Sequence, residues 1–281
     1  MTAPVTGIAA STSLADHALI FDLGGKFDKS FTEAACNGAG RLKTETGRTC
    51  RNLEMREETR REHSLRRIAE NGTNQVGARM PDQIARDFPD TRIVTIDGCA
   101  DPALNPNVLP INFREEAGSD LTGMLAAQAS KTGTVGFVGG MYVALIRAFG
   151  SGFTQGAKTV NPDIKIVSPK TGDPPDAWND PVKGPKAQGA DVIFAAAGQT
   201  GPGVLQAAAD EGILSVGVES NQYHLRPGQL LTSIRERVKL VVCNSFRQSE
   251  ALDLTPQHLG MKEDRVGYAL DDNNAALISL K

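Results

Sequence analysis

Four candidate binding residues each follow an apolar run of strand length: Asp22 after HALIF, Asp97 after TRIVTI, Gly198 after DVIFAAA and Glu219 after LSVGV. An ionised carboxylate only accepts hydrogen bonds, so it pairs with the hydroxyls of a sugar or with the N–H edge of a base. Three carboxylates at one crevice therefore favour an uncharged ligand rich in donors over an anion. Taken singly, each carboxylate is equally well explained as a helix cap or an exposed loop charge.

Two aromatic residues offer a second kind of contact. Phe31 ends the stretch FDLGGKFDKSF, whose glycine pair permits a tight turn or a close approach of backbone to ligand. Trp178, the only tryptophan, lies in the loop TGDPPDAWNDP, where it is either a surface staple over the core or a binding platform. Stacking a base on an aromatic ring contributes roughly 1–3 kcal/mol. Two such rings, one on each side of a cleft, would hold a planar ligand.

The sequence lacks the motifs of several catalytic and cofactor sites. It contains no G-x-x-x-x-G-K-[ST] phosphate loop and no G-x-S-x-G nucleophile motif, and the glycines at 198–203 do not have dinucleotide spacing. The cysteines and histidines are scattered, so we predict no metal site, no cofactor and no catalytic residue. Cys36 and Cys50 are either small buried thiols or a disulfide pair. A net charge of -3 gives no general attraction for nucleic acid.

Apolar runs of strand length alternate with helical patterns along almost the whole chain, which indicates parallel sheets covered on both faces. Two such sheets in succession predict an α/β protein of two doubly wound lobes, with the ligand at the carboxyl ends of the strands. We assign residues 17–114 plus about 221–255 to the first lobe, and 115–220 plus about 256–281 to the second. Residues 1–16 lack charge until Asp16 and resemble the end of a secretory signal peptide.

The chain resembles the basic membrane protein family, the purine-nucleoside receptors of bacterial ABC transporters. The resemblance covers about residues 18–278 and rests on the motifs FDLGGKFDKSF, FPDTRIVTIDG, FREEAGSDLTGMLAA, SKTGTVGFVGGM, AWNDPVKG, GADVIFAAAGQTGPGVLQAAADEG, LLTS and ALDDNNAALI. It implies a type I periplasmic-binding fold with a ligand cleft between two lobes. It also implies a periplasmic protein, anchored by lipid if a lipobox precedes Met1, that delivers inosine, guanosine or adenosine to an ABC permease.

The resemblance also implies a role for each site residue. Phe31 and Trp178 would sandwich the purine, and Asp97 would take the N–H edge of the base. Asp22 would bind the ribose 5′-hydroxyl, and Glu219 would chelate the ribose diol. Gly198 would offer backbone near the sugar. Asp28 is expected to cap the helix that presents Phe31.

Three residues depart from the family pattern. Thr32 stands where the family usually has asparagine, and Glu219 is one methylene longer than the usual aspartate. Glu236 stands where the family has a ribose-binding lysine, between Arg235 and Arg237. A second carboxylate near Glu219 would repel it unless one of these arginines turns inward.

Two stretches are short for the elements that the fold requires. Residues 75–88 leave little room for a strand, a turn and a helix, and residues 182–190 leave little room for a parallel crossover. We expect truncated elements or omitted residues at both places.

Other functions remain open on the sequence. One alternative keeps the binding role but has a different ligand, either another planar heterocycle, such as a flavin, or a sugar. A cytoplasmic sensor that regulates transcription would need a helix-turn-helix module, for which the residues before the first strand are too few and too uncharged. A nucleoside hydrolase is the enzymatic alternative.

Overall fold

Two parallel sheets form the centres of two lobes in the computed structural model. The structure describes residues 17–21, 25–73, 75–77, 82–98, 100–140, 143–168, 185–186 and 188–278. The first sheet contains β1 (His17–Phe21), β2 (Cys50–Glu54), β3 (Gln75–Gly77), β4 (Arg92–Ile96), β5 (Val108–Phe113) and β11 (Gln257–Leu259). The second contains β6 (Thr134–Gly139), β7 (Lys165–Val167), β8 (Val192–Ala196), β9 (Leu214–Gly217), β10 (Leu230–Glu236) and β12 (Val266–Tyr268).

Both sheets have the same strand order. The first is β2-β1-β3-β4-β5-β11 and the second is β7-β6-β8-β9-β10-β12. Among the described strands, all neighbours pair in parallel except β12, which is antiparallel to β10. This order is that of a doubly wound sheet, whose ligands bind at the carboxyl ends of the strands. The predicted pair of doubly wound lobes is confirmed.

Helices connect the strands and cover the faces of both sheets, as parallel pairing requires. They are α1 (Phe31–Thr46), α2 (Arg61–Glu70), α3 (Asp82–Asp87), α4 (Glu115–Ala129), α5 (Ala144–Val160), α6 (Gly201–Asp210) and α7 (Val238–Gln248). In the short stretch 75–88 the structure fits β3 and α3, which are three and six residues long. In the other short stretch, 182–190, the structure describes residues 185–186 and 188–190.

The described chain crosses between the lobes after β5, after β10 and after β11. After β5 it enters α4, which packs on β10 and β12 of the second lobe. After β10 it enters α7, which packs on α1 of the first lobe. The crossing segments are bonded to one another: the Arg114 amide donates to the Leu259 carbonyl, and the Arg237 amide to the Arg265 carbonyl, both over 2.9 Å. These segments form a hinge at which the lobes meet.

The placement of β10 and β11 corrects the boundaries expected from the sequence. The range of about 221–255 was assigned to the first lobe, but β10 pairs with β9 in the second sheet. The range from about 256 was assigned to the second lobe, but β11 pairs with β5 in the first sheet. The number of crossings is the same, but the second and third lie later in the chain than expected, because β10 first extends the second sheet beside β9 and β11 then extends the first sheet beside β5.

Cys36 and Cys50 are half-buried free thiols. Both pack against the core between α1 and the first sheet. Burial raises the pKa of the Cys50 thiol to about 12, with a further contribution from Cys36. The structure therefore has the small buried thiols that the sequence offered as one alternative, and no disulfide joins this pair.

Glycines allow α4 and α5 to approach each other closely at the base of the second lobe. A Cβ added at Gly156 would lie 1.8 Å from the carbonyl oxygen of Asp120, and one added at Gly152 would lie 2.2 Å from that of Glu116. Both contacts are with backbone of the opposing helix, which cannot rotate away. These two positions therefore fix the packing distance of the helix pair.

We predict that Gly156→Ala lowers the free energy of unfolding by about 3 kcal/mol, because the added methyl group overpacks the helix contact. Gly40→Ala is the matched control: it also lies in a helix, but nothing lies within 4 Å of its added Cβ. That change should raise stability by about 0.5–1 kcal/mol through helix propensity. Urea unfolding followed by circular dichroism measures both, and equal effects of the two changes would contradict the close packing.

Candidate ligand-binding site

Carboxyl groups from both lobes converge where the strands end at the hinge. Asp97 follows β4 of the first lobe and Glu219 follows β9 of the second. Glu115 begins α4 and Glu236 ends β10, so each adjoins a segment that crosses between the lobes. Charge effects on pKa values link Glu236 to the other three groups, which places them near one another. We call these four residues the acidic cluster.

Glu219 joins the lobes through the beginning of α1. Its backbone is in the left-handed region, with φ of 65°, so the chain turns sharply after β9. Its carboxylate accepts a hydrogen bond of 2.5 Å from the hydroxyl of Ser30, the residue before α1. The Gln222 amide nitrogen and the Ser220 hydroxyl also donate to the Lys29 carbonyl, over 2.9 and 3.1 Å. This contact brings the carboxylate of one lobe beside the helix of the other.

Asp28 fixes the helix terminus that presents Phe31. Its carboxylate accepts hydrogen bonds from the backbone amides of Ser30, Thr32 and Glu33, at 2.9, 3.0 and 3.1 Å. These amides are among the donors that a helix leaves unsatisfied at its first turn. The predicted capping role of Asp28 is confirmed, and Phe31 is the half-buried first residue of α1.

Thr32 uses its hydroxyl within the turn. The hydroxyl donates a 2.8 Å hydrogen bond to the carbonyl of Gly25, which ties the turn to the first residues of α1. The oxygen lone pairs remain able to accept a hydrogen bond from a ligand. Thr32 therefore contributes an acceptor where an asparagine would offer both a donor and an acceptor.

Asp97 is fixed by its own backbone and by the next strand. Its φ of 51° places it in the left-handed region, and its carboxylate accepts a 3.0 Å hydrogen bond from the Phe113 amide. Burial raises the pKa of this carboxyl to about 6, although the bond from Phe113 opposes the rise. Its second oxygen is left to accept a bond from a ligand.

Glu236 is the most deeply buried member of the acidic cluster, at 4% exposure. Neither of its carboxyl oxygens has a hydrogen-bond partner among the described residues. Its backbone amide donates to the Glu219 carbonyl over 3.0 Å, so the two residues end adjacent strands. Neighbouring arginines do not compensate it: Arg235 is exposed, and Arg237 forms a 2.7 Å ion pair with Asp264.

The acidic cluster holds protons to unusually high pH. Burial raises the pKa of Glu219 to about 8, with further contributions from Asp28 and Asp97, and the Ser30 bond opposes it. Burial raises the pKa of Glu115 to about 7. Burial, followed by the charges of the other cluster members, raises the pKa of Glu236 well above its ordinary value. Removing these carboxyls from water disfavours their charged forms, and mutual repulsion adds to that cost.

A cavity of about 350 Å³ adjoins the contact between the lobes. One wall is the first half of α1, from Ser30 to Arg41, and another is the segment 219–221. The hinge residues 235–237 border it as well, so both Glu219 and Glu236 contribute to its lining. The cavity thus gives space for a small solute beside Glu219 and Glu236, whereas Phe31, Asp97 and Glu115 are not among its lining residues.

The remaining predicted residues lie elsewhere or outside the described chain. Gly198 begins the 3₁₀ turn Gly198–Thr200 after β8 and is exposed, with φ of 50°. Asp22 and Trp178 lie outside the described residues. The structure thus brings together Glu219 and Glu236 beside the turn of Phe31 and Thr32, with Asp97 near both carboxylates.

Two residues of this region were missed from the sequence. Ser30 gave no signal, because a serine before a helix ordinarily caps it, whereas this hydroxyl reaches the other lobe. Glu115 had a signal, since it closely follows the apolar strand NVLPINF. It also lies in the first turn of α4, where an acidic residue is favourable for the helix alone.

Within the described chain, no group of three or more metal-ligating side chains has an arrangement suited to a metal ion. No helix in this part of the chain has both the length and the apolar character needed to span a bilayer.

The fold is that of the periplasmic-binding class of proteins, as the sequence led us to expect. A solute-binding protein of an ABC transporter system from Aeropyrum pernix K1 is similar over 92% of this chain and 77% of its own, with a TM-score of 0.83 and 23% identity. The model of the family of PnrA-like ABC transporter substrate-binding proteins matches residues 16–270. The chain belongs to this family.

Curated relatives agree with that membership. Basic membrane protein D of Borreliella burgdorferi (strain JD1) is 34% identical over 210 residues, which are 70% of this chain and 62% of that protein. Basic membrane protein A1 of Borrelia garinii subsp. bavariensis is 32% identical over 86% of this chain and 76% of its own length. The chain thus spans somewhat less than two thirds of the length of the first of these relatives.

We predict that Glu219→Gln makes stability less dependent on pH. The folded protein holds this proton up to a pKa of about 8 and the unfolded chain only to about 4.5, so the unfolding free energy falls as pH rises between these values. Glutamine keeps an acceptor for Ser30 and removes the titration. Glu70→Gln, at the exposed end of α2, is the control and should leave the slope unchanged. Urea unfolding at a series of pH values measures the slope; a slope unaltered by Glu219→Gln would refute the raised pKa.

Proposed function

We propose that this protein captures a purine nucleoside between its two lobes and delivers it to an ABC permease. Family membership supports the role in solute binding. The choice of ligand rests on the chemistry of the cleft, in which an aromatic ring and several hydrogen-bond acceptors belong to opposite lobes.

One observation carries this proposal. Phe31 and Ser30 are consecutive at the start of α1, and Ser30 donates a 2.5 Å hydrogen bond to Glu219 of the other lobe. Phe31 therefore adjoins, in the chain, the residue through which α1 contacts a carboxylate of the second lobe. A nucleoside has the matching form, a flat base joined to a sugar that carries donors.

The acceptors fit distinct parts of a nucleoside. Asp97 has one carboxylate oxygen occupied by the Phe113 amide and one available for the N–H edge of a base. Glu219 faces the sugar, where two oxygens suit a pair of adjacent hydroxyls. Asp22 would take the 5′-hydroxyl, Trp178 would cover the second face of the base, and Gly198 would add backbone beside the sugar.

Transport requires that binding change the shape of the protein. A ligand that contacts both lobes favours the closed arrangement by its extra affinity for that state. The three crossing segments at Arg114, Arg237 and Gly260 supply the hinge. We propose that the closed, liganded form docks on a permease and that the protein acts outside the cytoplasmic membrane, exported or anchored by lipid.

We predict that Phe31→Ala weakens binding of inosine, guanosine or adenosine by roughly 10- to 100-fold, because a stacked base contributes about 1–3 kcal/mol. Phe27→Ala is the matched control: Phe27 lies in the same turn but is 67% exposed. That change should leave affinity unaltered. Isothermal titration calorimetry measures both, and quenching of the single tryptophan, Trp178, provides an independent signal.

Competition with free base, ribose and riboflavin identifies the part of the ligand that is recognised. Nucleosides should displace one another, and ribose should compete weakly. Folded protein that binds none of the three nucleosides at high micromolar concentration would overturn the proposed function. Release of free base during the incubation would instead indicate a hydrolase.

A further inference from the structure

Glu236 has no role in the fold that accounts for its carboxyl group. It is 4% exposed, and neither oxygen has a hydrogen-bond partner among the described residues. Leaving such a group unpaired costs free energy, and the cost is large when the group is charged. An apolar residue of similar size would be better tolerated at this position if folding were its only task.

The direction of the Glu236 side chain follows from the alternation of side chains along β10. Arg235 is exposed on one side of the strand, so Glu236 and Ile234 lie on the other. Ile234 contacts the Gly118 region of α4, the helix that Glu115 begins. Glu236 is therefore directed away from the solvent side of the strand, and it lines the same cavity as Glu219. The charges of Asp97, Glu219 and Glu115 contribute to raising its pKa.

The described cations around the cleft are engaged elsewhere or exposed. Lys29 pairs with Glu33 over 3.2 Å, Arg41 with Glu45 over 2.6 Å and Arg237 with Asp264 over 2.7 Å. Arg235 and Lys239 are exposed. The described chain thus has several buried carboxyl groups at one point and no cation bonded to Glu236.

We propose that the solute of this protein carries an ammonium group, which binds against Glu236 and Glu219 at the hinge. This inference rests on the proposed function and specifies the chemical class of its ligand: a planar base attached to a sugar that bears a protonated amine. The ammonium group donates hydrogen bonds to the unpartnered oxygens of Glu236, and its positive charge stabilises the ionised carboxylate, so that the proton held by the buried carboxyl group is released to water on binding. Because Glu115 and Glu236 adjoin crossing segments, the same contact holds the lobes together.

The test compares matched neutral and cationic probes by calorimetry at neutral pH. Adenosine is compared with 3′-amino-3′-deoxyadenosine, and glucose with glucosamine. We expect the amino nucleoside to bind about tenfold more tightly than adenosine. Glu236→Gln keeps the size of the side chain, prevents its ionisation when a cation binds and should reduce that preference to near equality. Glu70→Gln, an exposed carboxylate on α2, should leave the preference intact.

The outcomes separate the two proposals. Adenosine bound as tightly as the amino nucleoside, or a preference that survives Glu236→Gln, would overturn the ammonium site and leave the nucleoside proposal standing. Glucosamine bound in preference to glucose, with neither nucleoside bound, would overturn the nucleoside proposal and support the ammonium site. Failure of all four probes to bind would overturn both. If Glu236→Gln does not fold, as judged by thermal unfolding, Glu219→Gln, the other proposed partner of the ammonium group, tests the same preference.

Discussion

The burial of carboxyl groups at the hinge is the constraint on which this structure depends. Parallel strands must end on one edge of each sheet, and the two edges face each other where the lobes meet. Acidic side chains placed there lose their hydration, and the sheet does not offer them the regular hydrogen bonds that it gives to the backbone of its strands. Asp97 and Glu219 recover part of this loss through bonds from the Phe113 amide and the Ser30 hydroxyl. Glu236 gains no side-chain hydrogen bond from the described chain, so it avoids a buried charge by keeping its proton.

The same constraint couples ligand contact to the position of the lobes. Glu115 and Glu236 lie at the ends of crossing segments, and Glu219 is bonded to the first lobe through Ser30. A solute that bonds to these groups therefore acts on the hinge and on both lobes at once. The hydrogen bond between Ser30 and Glu219 joins the two lobes directly. Contact between the lobes therefore does not depend on a ligand at every carboxylate.

The sequence predicted the fold well where the pattern was local. Apolar runs and helical periodicity marked both sheets, and strand ends located Asp97 and Glu219 because a carboxylate after a buried strand must lie at its carboxyl edge. The assignment of β10 and β11 to lobes was wrong because it depends on where the chain crosses the hinge. A three-residue strand such as β11 has no periodicity that would locate such a crossing. Ser30 was missed for a related reason: its partner, Glu219, lies far away in the chain, and no local pattern records it.

The surroundings of Glu236 follow from strand geometry rather than from chance. Side chains alternate along a strand, so a charge at the end of β10 that faces inward has neighbours that face outward. Arg235 is therefore directed away from the acidic cluster, and Arg237, one residue beyond the strand, pairs with Asp264 near the third crossing. Neither arginine can neutralise Glu236 without breaking the strand or the hinge contact. Within the described chain the carboxyl group of Glu236 therefore depends on its own proton, and a donor for its oxygens would come from a bound solute of the kind proposed above.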